Sequence, residues 1–593
     1  MTDLTQPIES ALRDAVVSLF GDAFADLDPL VQPANNPKFG DYQANVAMPL
    51  AKRLGKDAGS PRDVAQQLID ALKLDDRFDT PTIAGPGFIN LTIKPEALGT
   101  IADALLADGR LGVAIADDPQ TVVIDYSSPN VAKEMHVGHL RSTVIGDALA
   151  RVLSFQGHSV VAQNHVGDWG TQFGMLIAYL RLKMHSDIVT SRTGAASGDN
   201  FEIGDFNRFY KESKVWFDES EEHKEIARDQ VVKLQAGDEA AIALWRFLRE
   251  ISQDYFDGIY HRLGIRLTTD DICGESFYNP KLPGVIDRLQ ADGAAVESEG
   301  ALVVFVDGYT DRDDKPLPMI VRKSDGGYLY ATTDFAAAQH RIETLKGDRL
   351  IYVVGSPQRQ HFEMLFATLR KYGWADESVR LDYVPFGSVL GEDGKMFKTR
   401  SGETVRLVDL IDEAEQRAAA AVKAKNPDLA DDAEAIGKVV GIGALKYADL
   451  SSDRVKDYKF SWDRMLALEG NTAPYLINAY VRVCSIFRKA ELDMADYSAS
   501  IEVGHDNEKA LVLKLMQFGP TVGAVAESLE PHRLCNYLYD LASAFHKFYE
   551  HCPVLRSDVA PDVRGSRLAL CKLVAGTLEQ GLDLLGIGVV ERM

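Results

Sequence analysis

One continuous stretch, residues 121–157, constrains the fold of this chain more than any other. It opens with the apolar, β-branched run TVVIDY (121–126), which predicts a buried strand. After a polar turn that contains Pro129, apolar residues recur at helical spacing from Val137 to Leu153, which predicts an amphipathic helix. The free backbone N–H groups and the positive dipole end at such a helix start make the junction a potential anion site.

The junction carries the tetrapeptide HVGH, residues 136–139. His136 and His139 share one face of the first helical turn, and Gly138 removes a side chain where a flat ring or a phosphate could approach. The pattern favours nucleotide binding. Taken alone, it is equally compatible with a solvated helix cap or half of a metal site, so the flanking residues have to decide.

The flanking residues carry a resemblance to a known family. HVGH has the form of the HIGH signature of class I aminoacyl-tRNA synthetases, and SSPNVAKEMHVGHLRSTVIGD (127–147) resembles the arginyl-tRNA synthetase version of this segment. NHVGDWGTQFG (164–174) resembles the next strand-to-loop turn of the same family. The resemblance implies that the two imidazoles meet the phosphates of ATP and that Gly138 makes room for adenine.

Composition limits the class of protein. With 593 residues, 46% of them apolar and 26% charged, the chain is long enough for several ordinary globular domains. No run of 18 apolar residues occurs, and the acidic N-terminus lacks the features of a signal peptide. The five cysteines are scattered without a CxxC pair. We therefore expect a cytoplasmic protein without a membrane segment, disulfide framework or structural zinc.

The charge balance bears on partners. Lys and Arg number 64 and Asp and Glu 88, so the net charge is −24. This excess argues against indiscriminate binding of nucleic acid, and we expect no DNA partner. It is compatible with one RNA held by local basic patches and shape, and it also serves solubility. We expect the protein to be a monomer.

The periodicity predicts a multidomain chain with three parts. Residues 1–112 are expected to form an α/β domain, and residues 113–410 a doubly wound parallel α/β domain of the Rossmann-like class I synthetase type. A helical insertion is expected at about 190–300, with helices over Phe206–Ala236 and Asp238–Leu263. Residues 411–593 are expected to form an all-helical domain. The resemblance implies that the first part binds the tRNA elbow and the last the anticodon loop.

Further strands are predicted in the middle part. Their spans are 159–164, 301–306, 326–334, 349–356 and 383–390, with helices at Phe335–Leu345 and His361–Tyr372.

The N-terminal part carries its own motifs. Helices are predicted at Ile8–Leu19 and Val64–Leu72, and GPGFINLTI (85–93) predicts a turn that runs into a strand. FGDYQAN and GPGFIN resemble the arginyl family's N-terminal domain, whose elbow-reading triplet falls on Gly85, Phe88 and Asn90 here, which implies tRNA contacts at Phe88 and Asn90. Phe88 suits stacking on a splayed base, and it equally suits a core aromatic.

A second ATP-binding element is predicted after the last strand. KMFKTRSGETV (395–405) resembles the KMSKS loop at Lys395, Met396 and Lys398, with Phe397 and Thr399 where serines are usual. Mobile ammonium groups would neutralise charge as pyrophosphate leaves. Lys133 resembles a family lysine that shares this task. Outside its context the pentapeptide reads as an exposed basic turn.

Arginine as a substrate requires carboxylates or amides that accept from its planar, charged fork. We place the pocket at the carboxyl ends of the strands, facing HVGH. The resemblance assigns arginine contacts to Asp125, Ser128, Asn130, His136, Tyr330, Asp334 and Gln358.

Individual roles within this pocket follow from chemistry. Asp334 is expected to pair with the guanidinium, although it equally suits a helix N-cap. Tyr330 is expected to pack on the substrate, Gln358 to complete the wall, and Ser128 and Asn130 to orient the α-amino group. Asp125 lies in an apolar strand and needs a partner, because an unpaired buried carboxylate costs several kcal/mol.

The C-terminal part reads as successive helices. They are predicted at Leu407–Ala424, Asp431–Tyr447, Trp462–Lys489, Glu508–Leu529, Pro531–Glu550 and Ser566–Leu585. LEGNTAPYLINAYVRVCSIFRKA, LYDLASAFHKFY and LLGIGVVERM resemble the arginyl family's anticodon-binding domain. The resemblance implies tRNA contacts at Tyr475, Arg482 and Met593. Asn478 stands where an aromatic is expected, and Tyr475 equally suits helix packing.

The predicted activity is a two-step ligation of L-arginine to its cognate tRNA(Arg) through arginyl-adenylate, with ATP as substrate and Mg²⁺ accompanying the nucleotide. Two alternatives stay open at this point. One is another HxGH enzyme, either a synthetase for a different amino acid or a small nucleotidyltransferase. The other is a catalytically silent tRNA-binding paralogue, which the presence of both histidines and both loop lysines disfavours.

Overall fold

The structure is a computed structural model that describes residues 4–34, 36–55, 59–183, 203–311, 313–397 and 405–593. Its helices are α1 Thr5–Phe20, α2 Ala47–Leu54, α3 Pro61–Ala71, α4 Pro95–Ala107, α5 Val137–Phe155, α6 Thr171–Lys183, α7 Ile203–Glu219, α8 Glu221–Gln235, α9 Glu239–Leu263, α10 Glu275–Tyr278, α11 Leu282–Ala291, α12 Tyr330–Gln339, α13 Arg359–Lys371, α14 Leu407–Lys425, α15 Ala433–Leu450, α16 Trp462–Met465, α17 Ala473–Lys489, α18 Asp506–Leu515, α19 Phe518–Ser528, α20 His532–His551 and α21 Pro561–Leu584. Its strands are β1 Val31–Pro33, β2 Tyr42–Ala44, β3 Thr82–Ala84, β4 Phe88–Leu91, β5 Thr121–Asp125, β6 Ser159–Gln163, β7 Ala295–Ser298, β8 Ala301–Thr310, β9 Pro316–Arg322, β10 Arg349–Gly355, β11 Arg380–Phe386, β12 Val389–Leu390 and β13 Tyr458–Lys459.

The N-terminal region is an antiparallel sheet covered by helices. Its strand order is β1-β2-β4-β3. Both helices predicted here are confirmed as α1 and α3, and the predicted strand is β4, which begins after a turn with Gly85 and Gly87 at positive φ. Ile8, Leu68 and Ile89 are fully buried between sheet and helices, so this region has its own apolar core.

A parallel sheet in the order β11-β10-β5-β6 positions the candidate site. β5 pairs with β6 on one side and with β10 on the other, in register Asp125↔Gln163 and Tyr352↔Asp125. The chain therefore continues from β5 to β6 on one side of it. Only much later in the sequence does the chain form β10, on the other side of β5. In open α/β sheets ligands bind outside the carboxyl ends of the strands at this kind of switch point.

Two of the predicted strands of this sheet are wrong in their placement. Residues 301–306 lie in β8, within a separate antiparallel sheet of order β7-β8-β9. Residues 326–334 do not form a strand: the Lys323 N–H donates to the Gly327 carbonyl in a tight turn, and α12 begins at Tyr330. The alternating YLYATTD pattern suggested a strand, but the alanines at 336–338 that follow it are strong helix formers.

The helical predictions in the rest of the chain are confirmed with three breaks. The predicted helix 206–236 is divided at Ser220. This residue is the N-cap of α8, and its side chain accepts a hydrogen bond from the His223 N–H. The predicted helices 462–489 and 508–529 are likewise each divided in two. The short parallel pair β12–β13 joins the strand before residues 395–405, called the lysine loop below, to the segment between α15 and α16.

Candidate functional site

The turn that connects β5 to α5 is conformationally strained. Ser127, Ser128 and Ala132 all have positive φ, at 71°, 49° and 70°. Each such non-glycine residue costs of order 1–2 kcal/mol, so the surroundings have to hold it. The Ser128 N–H donates to Asn164 Oδ1 at 3.0 Å, and the Ser127 hydroxyl lies 2.7 Å from the Tyr260 hydroxyl. Neighbouring elements therefore impose the shape of this turn.

His136 and His139 close the start of α5 with their ring nitrogens. The His136 Nδ1 accepts from the Gly138 N–H at 3.0 Å, and the His139 Nδ1 accepts from the His136 N–H at 3.0 Å. The ring centroids are 4.0 Å apart. Because both Nδ1 atoms accept, the proton of each neutral ring is on Nε2. The residues are thus a helix cap and, at the same time, a pair of neutral Nε2–H donors.

The environment keeps both imidazoles uncharged. Burial lowers the pKa of both rings, that of His139 to about 3, and the positive charge of Lys133 acts in the same direction. Near pH 7 the pair therefore contributes hydrogen bonds to a ligand without contributing positive charge. The half-buried Lys133 lies next to the pair and can supply positive charge, and its Nζ is 5.4 Å from the Tyr210 ring centroid.

The C-terminal end of the lysine loop is attached to the HVGH segment. The Val137 N–H donates to the Val405 carbonyl at 3.0 Å, and the Leu407 N–H donates to the Met135 carbonyl at 2.9 Å. At its near end Lys395 and Met396 are exposed. Lys398 lies outside the described residues.

Phe397 explains one departure from the KMSKS pattern. Its ring stacks on Phe460 with centroids 4.6 Å apart and an interplanar angle of 18°. Its N–H donates to the Val389 carbonyl at 3.1 Å. An aromatic residue here therefore fastens the start of the loop to the segment that carries β13.

Asp334 and Tyr330 lie on the first turns of α12, not at the end of a strand. The Asp334 Oδ2 is 2.6 Å from His361 Nε2, and its side chain is 21% exposed. The N-cap interpretation of Asp334 is wrong, because Leu329 is the N-cap and Asp334 is the fifth helical residue. Tyr330 is 66% exposed, and its ring meets His361 edge-on at 5.0 Å. Asp334 is thus a partly exposed carboxylate beside an open aromatic face.

The other predicted arginine contacts lie around the strand ends. Asp125 is buried, and the partner that its burial requires is Arg341, whose Nη2 lies 2.7 Å from Asp125 Oδ2. The Ser128 hydroxyl donates to Asp125 Oδ1 at 3.0 Å. Asn130 is exposed and bridges to Gly167, while Gln358 is exposed at the end of a 3₁₀ turn after β10. The Asp125 carboxylate is therefore already engaged by the protein.

One titratable residue near Asp334 has no signal in the sequence. Burial, followed by the negative charges of Asp168 and Asp334, raises the pKa of Glu275 to about 7. Asp168 is held by the backbone N–H and hydroxyl of Ser276, at 2.8 and 2.6 Å. These acidic residues come from distant segments, so no spacing rule could have grouped them.

The predicted elbow contacts differ in exposure. Phe88 is half-buried at the start of β4 and is not part of the buried core, which argues against the core interpretation. Asn90 is 5% exposed, and its Oδ1 accepts from Gln43 Nε2 at 2.9 Å. Asn90 thus ties β2 to β4 within the sheet.

Two of the predicted anticodon contacts, Tyr475 and Arg482, lie on α17, and Met593 follows the last helix. The Tyr475 hydroxyl is 2.8 Å from His546 Nδ1, and the Arg482 guanidinium lies 5.4 Å from the Tyr549 ring centroid. The Met593 carbonyl accepts from Asn426 Nδ2 at 3.1 Å. Beside Arg482 a cleft of about 560 Å³ opens, lined in part by Asn478, Lys489, Tyr549 and Arg556. Its three cationic side chains favour an anionic ligand.

Two negative findings apply to the described part of the chain. No group of three or more His, Cys, Asp or Glu side chains there is arranged to hold a metal ion. Among those same residues, no helix is long and apolar enough to cross a membrane.

The parallel sheet, the HVGH helix start at its switch point and the lysine loop that returns to it define a class I aminoacyl-tRNA synthetase. Family models agree over almost the whole length. Residues 100–462 match "tRNA synthetases class I (R), catalytic domain", residues 476–593 match "DALR anticodon binding domain", and residues 3–93 match "Arginyl tRNA synthetase N terminal domain".

Individual relatives give the particular family. The chain is 50% identical to an arginine–tRNA ligase of Shigella sonnei over 99% of both chains, and 48% identical to one of Nostoc over the full length of both. The crystal structure of Plasmodium falciparum arginyl-tRNA synthetase superposes with a TM-score of 0.84 at 31% identity, covering 100% of this chain and 99% of that one. The Thermus thermophilus enzyme superposes at 0.81 and 25%, with full coverage of both. The chain belongs to the arginyl-tRNA synthetase family.

The predicted fold class and activity are therefore confirmed. The protein ligates L-arginine to tRNA, with ATP as a substrate. The alternative of a synthetase for another amino acid or a small nucleotidyltransferase is excluded by the full-length match to arginine–tRNA ligases.

Proposed function

We propose that Asp334 binds the substrate guanidinium and that the strained turn before α5 holds the other end of arginine. The observation that carries this assignment is the contrast between two carboxylates. Asp125 is buried and engaged on both oxygens, by Arg341 and Ser128, whereas Asp334 pairs with His361 through its Oδ2 and is partly exposed beside Tyr330. A planar cation needs an accessible carboxylate, which favours Asp334. Asn130 and Ser128 then orient the α-amino group, and Gln358 closes the pocket.

On the ATP side we propose that His136 and His139 donate from Nε2 to phosphate oxygens, while Gly138 leaves room for adenine. The arginine carboxylate attacks the α-phosphorus, arginyl-adenylate forms, and pyrophosphate leaves. A hydroxyl of the 3′-terminal ribose of tRNA then attacks the arginyl carbonyl carbon, the ester forms, and AMP leaves. Because the imidazoles are neutral, Lys133, Lys395 and Lys398 have to neutralise the departing charge. Mg²⁺ is proposed only as the ion that accompanies the nucleotide, since the described residues offer no metal-binding group.

For tRNA we propose contacts at Phe88 in the elbow-binding region and at Tyr475, Arg482 and Met593 in the helical region. The half-exposed ring of Phe88 suits stacking, and the cationic cleft beside Arg482 suits the phosphates of an anticodon loop. Asn90 contributes through the sheet, because its amide is bonded to Gln43. We further propose the division into domains at 1–112, 113–410 and 411–593, a monomeric state and a cytoplasmic location, the last supported by five buried free cysteines.

The pocket assignment is tested by Asp334→Ala. Losing a charge-assisted pair costs about 2–3 kcal/mol, so the KM for arginine should rise about 30- to 150-fold while the KM for ATP changes little. The assay is arginine-dependent ATP–pyrophosphate exchange, measured with and without cognate tRNA.

Glu343→Ala is the matched control, because it removes a half-exposed carboxylate, paired with Arg288, from the turn that continues α12. It should leave both KM values near wild type. Equal rises in the two KM values of Asp334→Ala would show that Asp334 shapes the site in general and does not bind the guanidinium.

A further inference from the structure

Arg341 carries a buried guanidinium that contacts three adjacent strands, β5, β6 and β10. Its side chain is 1% exposed. Its Nη2 donates to Asp125 Oδ2 at 2.7 Å, and its Nε donates to Gln163 Oε1 at 2.6 Å. The guanidinium also lies 4.8 Å from the Tyr352 ring centroid. Asp125, Gln163 and Tyr352 are in register on β5, β6 and β10, so one side chain contacts all three strands near the switch point.

The backbone around Arg341 is irregular in a way that aims the side chain inward. Residues His340–Thr344 form a π-helical turn that continues α12. Such turns insert a residue into an α-helix and change the direction of the side chains that follow, and they are frequent at functional sites. Helix α12 carries Tyr330 and Asp334 at its other end. Arg341 therefore connects the helix of the proposed guanidinium receptor to the ends of the strands.

The contact continues from the strands into the strained turn. Asp125 Oδ2 is bound by Arg341, and its Oδ1 accepts from the Ser128 hydroxyl at 3.0 Å. Ser128 has φ 49°, a conformation that persists only if neighbouring groups hold it. Arg341, Asp125 and Ser128 thus form a continuous polar chain between the two halves of the proposed arginine pocket.

The same contact distinguishes the two carboxylates of the proposed pocket. Asp334 pairs with His361 Nε2 at 2.6 Å through its Oδ2 and is 21% exposed. A protein guanidinium already occupies Asp125, so its negative charge is compensated inside the fold.

We propose that Arg341 is a positioning residue for arginine activation: it fixes α12 against the turn that carries Ser128 and so places Asp334, on the same helix, relative to that turn. This inference rests on the proposed pocket. It assigns to Arg341 no contact with either substrate, so its effect reaches the reaction only through Asp125 and the placement of α12.

The test compares Arg341→Lys and Arg341→Met with Arg349→Met. Arg349 is the matched control, because it is also buried at a strand of the same sheet and pairs with a carboxylate, Asp382, at 2.6 Å. In tRNA-supported exchange, kcat/KM for arginine should fall about tenfold in the lysine variant and about 100-fold in the methionine variant, relative to the control measured at equal folded fraction. The KM for ATP should change less than threefold, because a threefold change corresponds to roughly the net free energy of one hydrogen bond.

A double variant separates positioning from simple stabilisation. Asp125→Asn combined with Arg341→Met removes the uncompensated charge, so thermal stability should recover, but kcat/KM for arginine should stay low because α12 is no longer tied to the turn. If Arg341→Met does not fold, Gln163→Met removes one of the two hydrogen-bond anchors and should lower kcat/KM about threefold to tenfold.

Two results would overturn the proposal: Arg341 variants that match Arg349→Met, or a double variant whose kinetics recover together with its stability. Failure of the underlying pocket is recognised separately. In that case Asp334→Ala, made with Arg341 intact, leaves the KM for arginine unchanged.

Discussion

Gly138→Ala separates the chemistry of the HVGH turn from its contribution to folding. A Cβ built on Gly138 lies 2.8 Å from Cε1 and 2.9 Å from Nδ1 of His136, closer than real Cβ atoms approach. The His136 ring has to move by several tenths of an ångström, and the hydrogen bond from the Gly138 N–H to its Nδ1 is distorted. A misplacement of about 1 Å at a catalytic group costs roughly 10²-fold, so a smaller shift should lower kcat/KM for ATP by about 10- to 100-fold.

The same substitution should not reduce stability. Gly138 is helical and lacks a positive φ, so alanine stabilises the start of α5 by up to about 1 kcal/mol, which offsets the local contact with His136. The assays are exchange kinetics with varied ATP and thermal unfolding. Gly258→Ala is the matched control, because that glycine is exposed on helix α9 with no atom within 4 Å of the added Cβ. A wild-type KM and kcat for ATP in Gly138→Ala would refute the proposed role of His136.

Two further predictions concern buried charge. The unfolded chain binds a proton on His139 near pH 6.5 and the folded chain does not until about pH 3, so the free energy of unfolding falls by about 1.4 kcal/mol per unit as the pH drops through this range. His139→Gln should reduce the slope by about this amount in chemical denaturation between pH 7 and pH 4, while His546, whose pKa burial lowers to about 4, keeps its own contribution; an unchanged slope contradicts the prediction. The Arg141–Asp449 pair, with side chains 1% and 0% exposed and 3.1 Å apart, joins α5 to α15. Arg141→Met should lower the free energy of unfolding by about 3–5 kcal/mol, and Arg141→Met/Asp449→Leu should recover most of it; additive losses would show that no coupled pair exists.

The parts of the site that sequence predicts are those whose chemistry is local. HVGH lies at a strand-to-helix junction, and the histidines cap the helix that their own spacing defines. The burial of Asp125 required a partner, and the structure supplies one. The prediction of a strand over 326–334 was wrong because two periodicities overlap there. The YLYATTD run alternates like a strand, but the turn before it and the alanines after it favour a helix. Asp334 was therefore predicted at the end of a strand, whereas the structure places it on helix α12.

The parts that sequence missed depend on contacts between distant segments. Arg341 is 216 residues from Asp125 in the sequence. The pKa of Glu275 is raised by burial and by the charges of Asp168 and Asp334, which lie in two other segments. Neither residue follows a motif, and each is defined by the elements that the fold brings against it. Phe397 is a similar case. The loop itself does not explain why phenylalanine stands where the KMSKS pattern has serine, and the explanation is the stacking of the Phe397 ring on Phe460 in a later segment.

The central claim is that residues 121–139 hold arginine and ATP side by side, with the guanidinium on Asp334. The most direct test is an experimental structure with a non-hydrolysable arginyl-adenylate analogue. We predict that the guanidinium of the analogue is within hydrogen-bond distance of Asp334, with Arg341 still bound to Asp125, and that Nε2 of His136 or His139 contacts the phosphate mimic. An analogue whose guanidinium displaces Arg341 from Asp125, or that lies away from the two histidines, would contradict the account.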